Sequence, residues 1–498
     1  MSVRGFDPKA QAGKVPPPRR RVEVLVVGGG PAGAAAALEA RAGGAQVLLI
    51  DENPVSAGLM GLDVPHYWGG RYTTAVHTRA RMLEQVFSAN PALEAAVEAG
   101  VEVELAVSCW GAWVPGYGLA SLPHPIAGLA DEERAWTVGF DRLILATGAR
   151  DVVLSFKGWD QPGVMGARAL QALLTTYDAF AGRRLAILGS GPPAMAVARL
   201  ALARGLEVAA LIEVRGTVQG PSADHEALTA AGVEFLTGRV PTVAVGGADG
   251  VERLEVRDLA TGARRVVDCD TVVQAIGLTP VVELLDVLGG ALAMQPALGG
   301  YAPVSPGGTR TSLAEVFVAG DVAGIPGASE GTVAYQQAWM RALMATSEPE
   351  VVVCQCEEVS REALLAVRQP TYLGEPSPSL AARDLGRLLE DGPANQDQIK
   401  RLTRAGMGPC QGRRCREQVA LMLACASNQT ADHIPLASYR APVRPLPLSV
   451  LAAWDEAPAM SAHWDVWFGI TSQWIPYADV GTERESFEAG VLGGEAPL

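Results

Sequence analysis

Three groups of residues in this 498-residue chain have types and spacings that do chemistry. The first is Gly28-Gly-Gly30-Pro31-Ala32-Gly33, entered from the apolar run Val22 to Val27. An Ala/Leu-rich stretch follows it, then a second apolar run (Val47 to Ile50) ending in Asp51-Glu52. The first glycine makes a tight turn, and the second lets backbone approach a pyrophosphate lying on a helix N-terminus. The third allows close helix–strand packing, and Asp51 or Glu52 accepts from an adenosine ribose hydroxyl. Strand, turn, helix, strand and acid in register form a dinucleotide fingerprint, which a lone G-x-G-x-x-G does not. The second group repeats the pattern: Leu185 to Leu188, Gly189-Ser-Gly191-Pro-Pro-Ala194, then Val208 to Ile212 and Glu213. Ala194 replaces the third glycine, and the paired prolines suit a first helical turn. With a shifted acid, two readings stay open there: a nicotinamide dinucleotide or other adenylate, or no ligand. The third group is Cys354-Gln-Cys356 and Cys410-Gln-Gly-Arg-Arg-Cys415, with Gly406, Gly408 and Gly412 around it. Four thiolates in two close pairs suit an iron–sulfur cluster or a tetrahedral zinc, and spacing alone does not choose.

These groups need elements to position them. Phe140 to Arg150 reads as a buried strand ending in Ala146-Thr147-Gly148, a pattern that recurs in two-dinucleotide flavoprotein reductases, where it closes the flavin domain. Thr271 to Gly277 returns the chain from the second unit, and Glu315 to Asp321 gives another buried strand ending in Gly320-Asp321. In that fold the acid sits at the flavin ribityl chain and the next helix N-terminus faces the phosphates; Ala328 to Ala338 has the small residues for such a start. The plainer role for Asp321 is a helix N-cap, and the two can coexist. The expected class is α/β: a two-dinucleotide-binding-domain, disulfide-reductase-like flavoprotein fold plus a small C-terminal helical domain. Its parts are a flexible leader (1–21), an FAD-binding domain (22–150 and 281–345), a second dinucleotide-binding domain (151–280), a cysteine domain (346–430) and a strap with a Trp-rich tail (431–498). Arg79 to Gly100 reads as helix with Met82, Val86, Leu93 and Val97 inward, Val101 to Trp113 as strand, and 53–75 and 114–134 as loops. Ser360 is placed to cap a helix, 373–396 reads as an insertion, and 440–448 as an extended Pro-containing strap. Trp454, Trp464, Trp467 and Trp474 suggest a packing surface.

Composition sets the outer limits. Hydrophobic residues at 49% and charged residues at 19% fit a globular protein with a sizeable core. A net charge of -14 argues against a nucleic-acid partner. No run of about 18 apolar residues exists to span a membrane. Arg19 to Arg21 plus the first apolar run is too short for a signal peptide, so the chain is expected in the cytoplasm. Seven cysteines, clustered and odd in number, suit a reduced compartment. Cys109, Cys269 and Cys425 read as core, and no C-x-x-C accompanies either fingerprint, so a redox-active disulfide is not expected. His66 and His77, the histidines near the first fingerprint, read as loop residues. No acid–base constellation is visible, and no catalytic residue is assigned.

In one order the chain carries GGGPAGAAAA, ATGARD, Gly158-Trp-Asp-Gln-Pro-Gly-Val-Met165, FVAGDVAGI, CQCEEV and AGMGPCQGRRC. Over about residues 22–450 this set resembles the alpha-type (B-type) subunit of multi-subunit flavin amine and imino-acid dehydrogenases. That group includes proline and hydroxyproline dehydrogenases, opine oxidases and hydrogen cyanide synthase. The resemblance implies a [2Fe-2S] cluster in a domain like bacterioferritin-associated ferredoxin, with Cys354, Cys356, Cys410 and Cys415 as ligands. It also implies a partner subunit resembling D-amino-acid oxidase that oxidises the amine at its own FAD, and leaves room for a small third subunit. This chain would relay electrons to a quinone or other acceptor, at a site peripheral to the inner membrane if the acceptor lies there. The first site would hold FAD or another adenine nucleotide such as ATP, FMN is a candidate between subunits, and NAD(P) stays open at the second unit. A stand-alone NAD(P)H-dependent reductase is the alternative. The family's Gly-Gly-Gln-like turn is absent: Ala57-Gly-Leu-Met-Gly61 and a longer aromatic loop replace it.

Overall fold

The computed structural model describes residues 17–55, 70–115, 122, 124–305, 307–374 and 377–454. Most of the leader, His66 in the aromatic loop, and Trp464, Trp467 and Trp474 lie outside them. Among the described residues no helix is long and apolar enough to cross a membrane.

The first sheet grows from the β-rich apolar runs. Parallel strands Glu102–Leu105, Val47–Asp51, Arg20–Val27 and Ala135–Leu145 lie side by side in that order. Val316–Val318 joins the C-terminal half of Ala135–Leu145 in parallel, while its N-terminal half carries antiparallel Ile126–Ala130 and then Ser108–Trp113. A long central strand thus serves two neighbours on one side, which sequence runs alone do not reveal. The second sheet is wholly parallel, with order Glu234–Thr237, Glu207–Glu213, Arg184–Leu188, Thr271–Gln274, Val164–Gly166. An antiparallel meander (Arg239–Gly247, Gly250–Asp258, Arg264–Asp268) adjoins it. Ala149–Asp151 pairs antiparallel with Leu278–Pro280 where the chain leaves the first unit and where it returns.

Several local expectations change. Residues 114–134 are not all loop: Ile126–Ala130 is a strand buried on both faces, its small residues hiding it from a β-propensity reading. Val101 to Trp113 is two strands, broken at Ala106, which takes φ 57. Arg79 to Gly100 is two helices, Arg79–Ser88 and Pro91–Glu98, because Pro91 ends the first pattern and starts the second. Met82, Val86 and Leu93 face inward, but Val97 is 45% exposed and Ala96 takes the inner position. After Asp321 comes only a short 3-10 turn, Gly320–Ala323, and the long helix begins at Gly331, so Asp321 does not cap it.

The cysteine module is a two-strand ribbon (Val352–Cys354, Val359–Ser360) with short helices around it. Ser360 caps Arg361–Leu365 by accepting from the Ala363 N–H at 3.1 Å. Its last helix, Arg416–Ala426, packs along Gly331–Thr346. A buried charge cluster fastens the module to the rest. The Arg150 guanidinium, 2% exposed, pairs with Glu283, with Glu417 at 2.6 Å and with the Tyr439 hydroxyl at 3.0 Å. Burial would lower the Arg150 pKa, but Glu417 and Tyr439 hold it above the usual arginine range. Arg416 stacks on the Tyr439 ring at 3.3 Å from its centroid.

Arg150→Met should cost about 3–5 kcal/mol of unfolding free energy, because two buried carboxylates lose their cation. Arg21→Ala, which breaks the exposed pair with Asp141, should cost less than about 1 kcal/mol. Urea unfolding of the two variants beside the parent chain checks both.

Candidate functional site

The first fingerprint opens onto a cavity of about 610 Å³, within the usual range for ligand pockets. Gly28, at φ 109, leaves no room for a side chain: a Cβ would lie 2.3 Å from the Ala146 carbonyl oxygen. A Cβ on Gly33 would lie 1.8 Å from the Gly28 oxygen, so that glycine fixes the helix Pro31–Ala42 against the turn. At Gly30 nothing stands within 4 Å of the Cβ position, and this open side belongs to the cavity wall. Gly30 caps the helix with a side-chain-free N-terminus, so backbone N–H groups and the positive dipole end are offered to an anion.

Asp51 and Glu52 divide the work. Asp51 accepts from the Gly29 N–H at 2.5 Å, and from the Asn53 N–H and side-chain amide at 2.7 and 2.8 Å. Burial raises its pKa against those bonds. Its oxygens therefore hold the glycine turn. Glu52 lines the cavity beside Asp51 and is paired with Arg444 from the C-terminal strap. Asn90 clamps the turn from the other side, donating to the Gly29 oxygen at 2.6 Å. Ala146, Thr147 and Gly148 line the floor, with the Thr147 hydroxyl donating to the Val281 oxygen at 2.7 Å. Gly320 and Asp321 line the far side, where Asp321 pairs with Arg168.

Arg168 depends on a buried acid outside the cavity. Both Asp151 oxygens accept from the Arg168 N–H at 3.0 Å, capping the turn that carries it. Burial pushes the Asp151 carboxyl up to about 7, against these backbone bonds and the Arg168 charge.

The second fingerprint is built differently. Glu213 is 1% exposed and accepts from the Ser190 N–H (3.1 Å), the Ser190 hydroxyl (2.6 Å), the Arg215 N–H (2.8 Å) and the Tyr335 hydroxyl (2.7 Å). Burial and the Glu213 charge raise the Tyr335 pKa, which keeps the phenol a donor. The Gln219 N–H closes onto the Ser190 hydroxyl at 3.0 Å. Gly189 has a φ of 106 and makes the same tight turn as Gly28. Gly189, Gly191 and Glu213 line neither of the two larger cavities, and the acid has internal donors where a ribose would have to compete.

The four cysteines converge. Cys354, Cys410 and Cys415 are buried and Cys356 is half-buried. The Cys356 thiol donates to Cys410, which that bond and Arg413 and Arg414 hold below the usual thiol range against burial. Cys415 donates to Cys354 in the same way. The Gly406 N–H also donates to the Cys354 sulfur at 3.4 Å, and Gly408 packs so tightly that a Cβ would meet that of Cys356. Among the described residues no group of three or more His, Cys, Asp or Glu stands in metal-holding geometry; the sulfurs form two hydrogen-bonded pairs. Buried sulfurs ringed by glycine backbone and three arginines still offer a donor set that suits an anionic thiolate centre. Arg413, between Cys410 and Cys415, is 3% exposed and lines the same 610 Å³ cavity as Gly28 and Gly30. Burial holds the Cys109 and Cys269 thiols at about 12, so neither is a thiolate, although Cys109 lines the 610 Å³ cavity. His77 is exposed beside a smaller cavity of about 210 Å³.

Arg413 stood inside a cysteine motif and was within reach of a sequence reading. Asn53 follows the fingerprint acids directly, whereas Arg168, Arg444 and Asn90 come from segments with no spacing relation to the fingerprint, and no sequence signal marks them.

Residues 22–348 match the pyridine nucleotide-disulphide oxidoreductase family, and residues 379–455 match the sarcosine oxidase A3 domain. The chain is 26% identical over 474 residues to an opine oxidase subunit from Agrobacterium tumefaciens (strain Ach5), covering 83% of this chain and 88% of that protein. It is 26% identical over 391 residues to the alpha subunit of sarcosine oxidase from Rhizobium meliloti (strain 1021), covering 72% of this chain and 37% of that protein. The crystal structure of L-proline dehydrogenase from P. horikoshii shares the fold, with a TM-score of 0.58 at 20% identity over 87% of this chain and 80% of that one. These matches agree with the resemblance that the ordered motifs carry. The chain belongs to the pyridine nucleotide-disulphide oxidoreductase family.

Gly30→Ala should keep unfolding stability within about 0.5 kcal/mol of the parent while losing nucleotide retention, since its Cβ meets only the ligand's space. Gly33→Ala should lose both. Thermal melts and retained-nucleotide assays separate the two. Asp151 supplies a pH test. Its folded pKa lies above the unfolded value of 3.8, so the folded state binds the extra proton between those limits. The group favours folding most at low pH, and its contribution falls as pH rises through about 7. Asp151→Asn should therefore gain stability relative to the parent at pH 8 and less so at pH 5.5, read as urea midpoints.

Proposed function

We propose that this family member is the electron-transferring subunit of a hetero-oligomeric, flavin-dependent oxidoreductase acting on the CH–NH bond of an amine or imino acid. The observation that carries the reading is the shared cavity, walled by the first fingerprint and by Arg413 from between two of the four cysteines. The opine oxidase and sarcosine oxidase relatives, both named as subunits of their enzymes, support both the substrate class and the assembly.

In this reading FAD occupies the first cradle and a [2Fe-2S] cluster the four cysteines, supplying two-electron and one-electron chemistry respectively. The chain's own residues do the holding. Gly30 and the N–H groups of the Pro31–Ala42 helix bind the pyrophosphate, Glu52 faces the adenosine ribose, and Asp321 with Arg168 faces the other half of the ligand. Asp51 and Asn90 keep the turn open for it. Cys354, Cys410 and Cys415, at 1–2% exposure, shield three of the four sulfurs from water, and Cys356 is half-buried. Amine oxidation falls to a partner subunit resembling D-amino-acid oxidase, in line with relatives that are named as subunits. A stand-alone NAD(P)H-dependent reductase would need the second unit, and the four donors on Glu213 speak against that use.

The anaerobically purified chain should show flavin bands with a broad red shoulder, both bleached by dithionite, and iron in place of zinc by metal analysis. NADH should not bleach them, and Glu213→Gln should leave flavin content unchanged. Rapid, stoichiometric bleaching by NADH would overturn the relay reading in favour of the reductase. Zinc without iron would remove the cluster from it.

A further inference from the structure

The segment that closes the first cavity does not belong to the dinucleotide fold at all. Tyr439 enters it from the Arg150 cluster, its N–H donating to Asp286 at 2.6 Å. The Val443 N–H then donates to the Trp110 oxygen at 2.8 Å, and Val443 is 2% exposed. Val443 and Arg444 wall the 610 Å³ cavity, and Arg444 to Pro447 wall the adjoining 210 Å³ cavity. The Arg444–Glu52 pair lines both cavities, with Ser108.

We propose that the C-terminal strap is part of the nucleotide site, with Arg444 as the positioning residue that aims Glu52 at an adenosine ribose. This rests on the reading that the first cradle holds an adenosine nucleotide. Both acids line the cavity, but three N–H donors from Gly29 and Asn53 already occupy the Asp51 oxygens, so Glu52, paired with Arg444, is the carboxylate with acceptor capacity left for the ribose. A free glutamate at that place has several rotamers and a full charge next to a phosphate ligand. Pairing with Arg444 fixes one rotamer and offsets the charge, while a carboxylate has enough lone pairs to accept a ribose hydroxyl as well. The same pair makes ligand binding and strap docking mutually supportive, since each orders a partner of the other.

The test uses the full chain freed of nucleotide, with FAD, ADP-ribose and FMN as probes, and trypsin cleavage after the exposed Arg440 as the reporter of the strap. The Arg444-Pro445 bond is itself a poor trypsin site, so Arg444→Gln leaves the reporter intact. In the parent chain, FAD and ADP-ribose should bind and slow the cut after Arg440, while FMN, which lacks the adenosine, should not slow it. Arg444→Gln should weaken FAD and ADP-ribose about tenfold, the worth of one charge-assisted hydrogen bond, and abolish the protection. Its thermal midpoint and any FMN affinity should stay as in the parent. Glu52→Gln should weaken the same two ligands. Equal weakening of FMN, or unchanged FAD affinity in Arg444→Gln, would overturn the strap's role and leave the cradle reading standing. A parent chain that binds neither FAD nor ADP-ribose would overturn the cradle reading, and this inference with it.

Discussion

One buried guanidinium joins the parts of this molecule that must act together. Arg150 leaves the first sheet beside the Ala146-Thr147-Gly148 floor, and its carboxylate partners come from two other places. Glu283 lies on the return from the second unit and Glu417 lies in the first turn of the helix that follows Cys415. Tyr439 adds the start of the strap, and Arg416 caps the cluster from above the ring. Two carboxylates around one buried cation are stable only while all three stay in place, because any one left alone keeps its desolvation cost without its partner. The positions of the cavity floor, the cysteine loop and the strap are therefore not independent variables. A nucleotide cradle and a sulfur site that share a wall need that kind of constraint, since a loose module would let the distance between them drift.

The two fingerprints show how little of a binding site lies in its glycines. Both start from a tight turn, at Gly28 and Gly189, pressed against the carbonyl of the next parallel strand. They diverge at the acid. The first strand pair ends in two acids that both line the cavity, so Asp51 can hold the turn while Glu52 pairs with the strap. The second ends in one, and Glu213 holds the turn through Ser190 with nothing left to face outward. Ser190 itself, a residue larger than the glycine at the equivalent place, supplies both donors. Glu213 also accepts from the Tyr335 hydroxyl and so ties the turn to the long helix behind it.

The fold was legible for a physical reason: parallel strands buried on both faces read as continuous apolar runs, and turns that only glycine can make leave their residue behind. Gly28, Gly33 and Asp51 could be named because their contacts are local, and the four cysteines because each pair is close in sequence. What failed to show was of two kinds. Ile126–Ala130 is built from small residues whose burial comes from neighbours above and below, so its five residues look like loop. Val97 fits the helical period but lies past the Pro91 restart, which rotates the exposed face onto it. Arg168 and Arg444 act across more than a hundred residues of sequence, and a long-range ion pair leaves no periodicity. Asp321 was legible as a cavity acid, while its arginine partner was not.

Those hidden arginines also resolve a tension that composition raises. A chain with a net charge of -14 is a poor host for an anionic dinucleotide unless the local field differs from the global one. Here three of the cavity's four acids are held by a cation from another segment, Glu52 by Arg444, Asp321 by Arg168 and Glu283 by Arg150, while the fourth, Asp51, is bonded to N–H groups of Gly29 and Asn53. Arg413 adds a further positive group on the sulfur side. Those three carboxylates are thus kept in place with their charge offset, and the helix N-terminus at Gly30 is left as a positive pole with no side chain over it. Binding an anion then requires no acid to be protonated or moved away. The arrangement explains why the neutralising residues come from the connector, the cysteine loop and the strap: the fingerprint itself has no position for a cation that would not block the ligand.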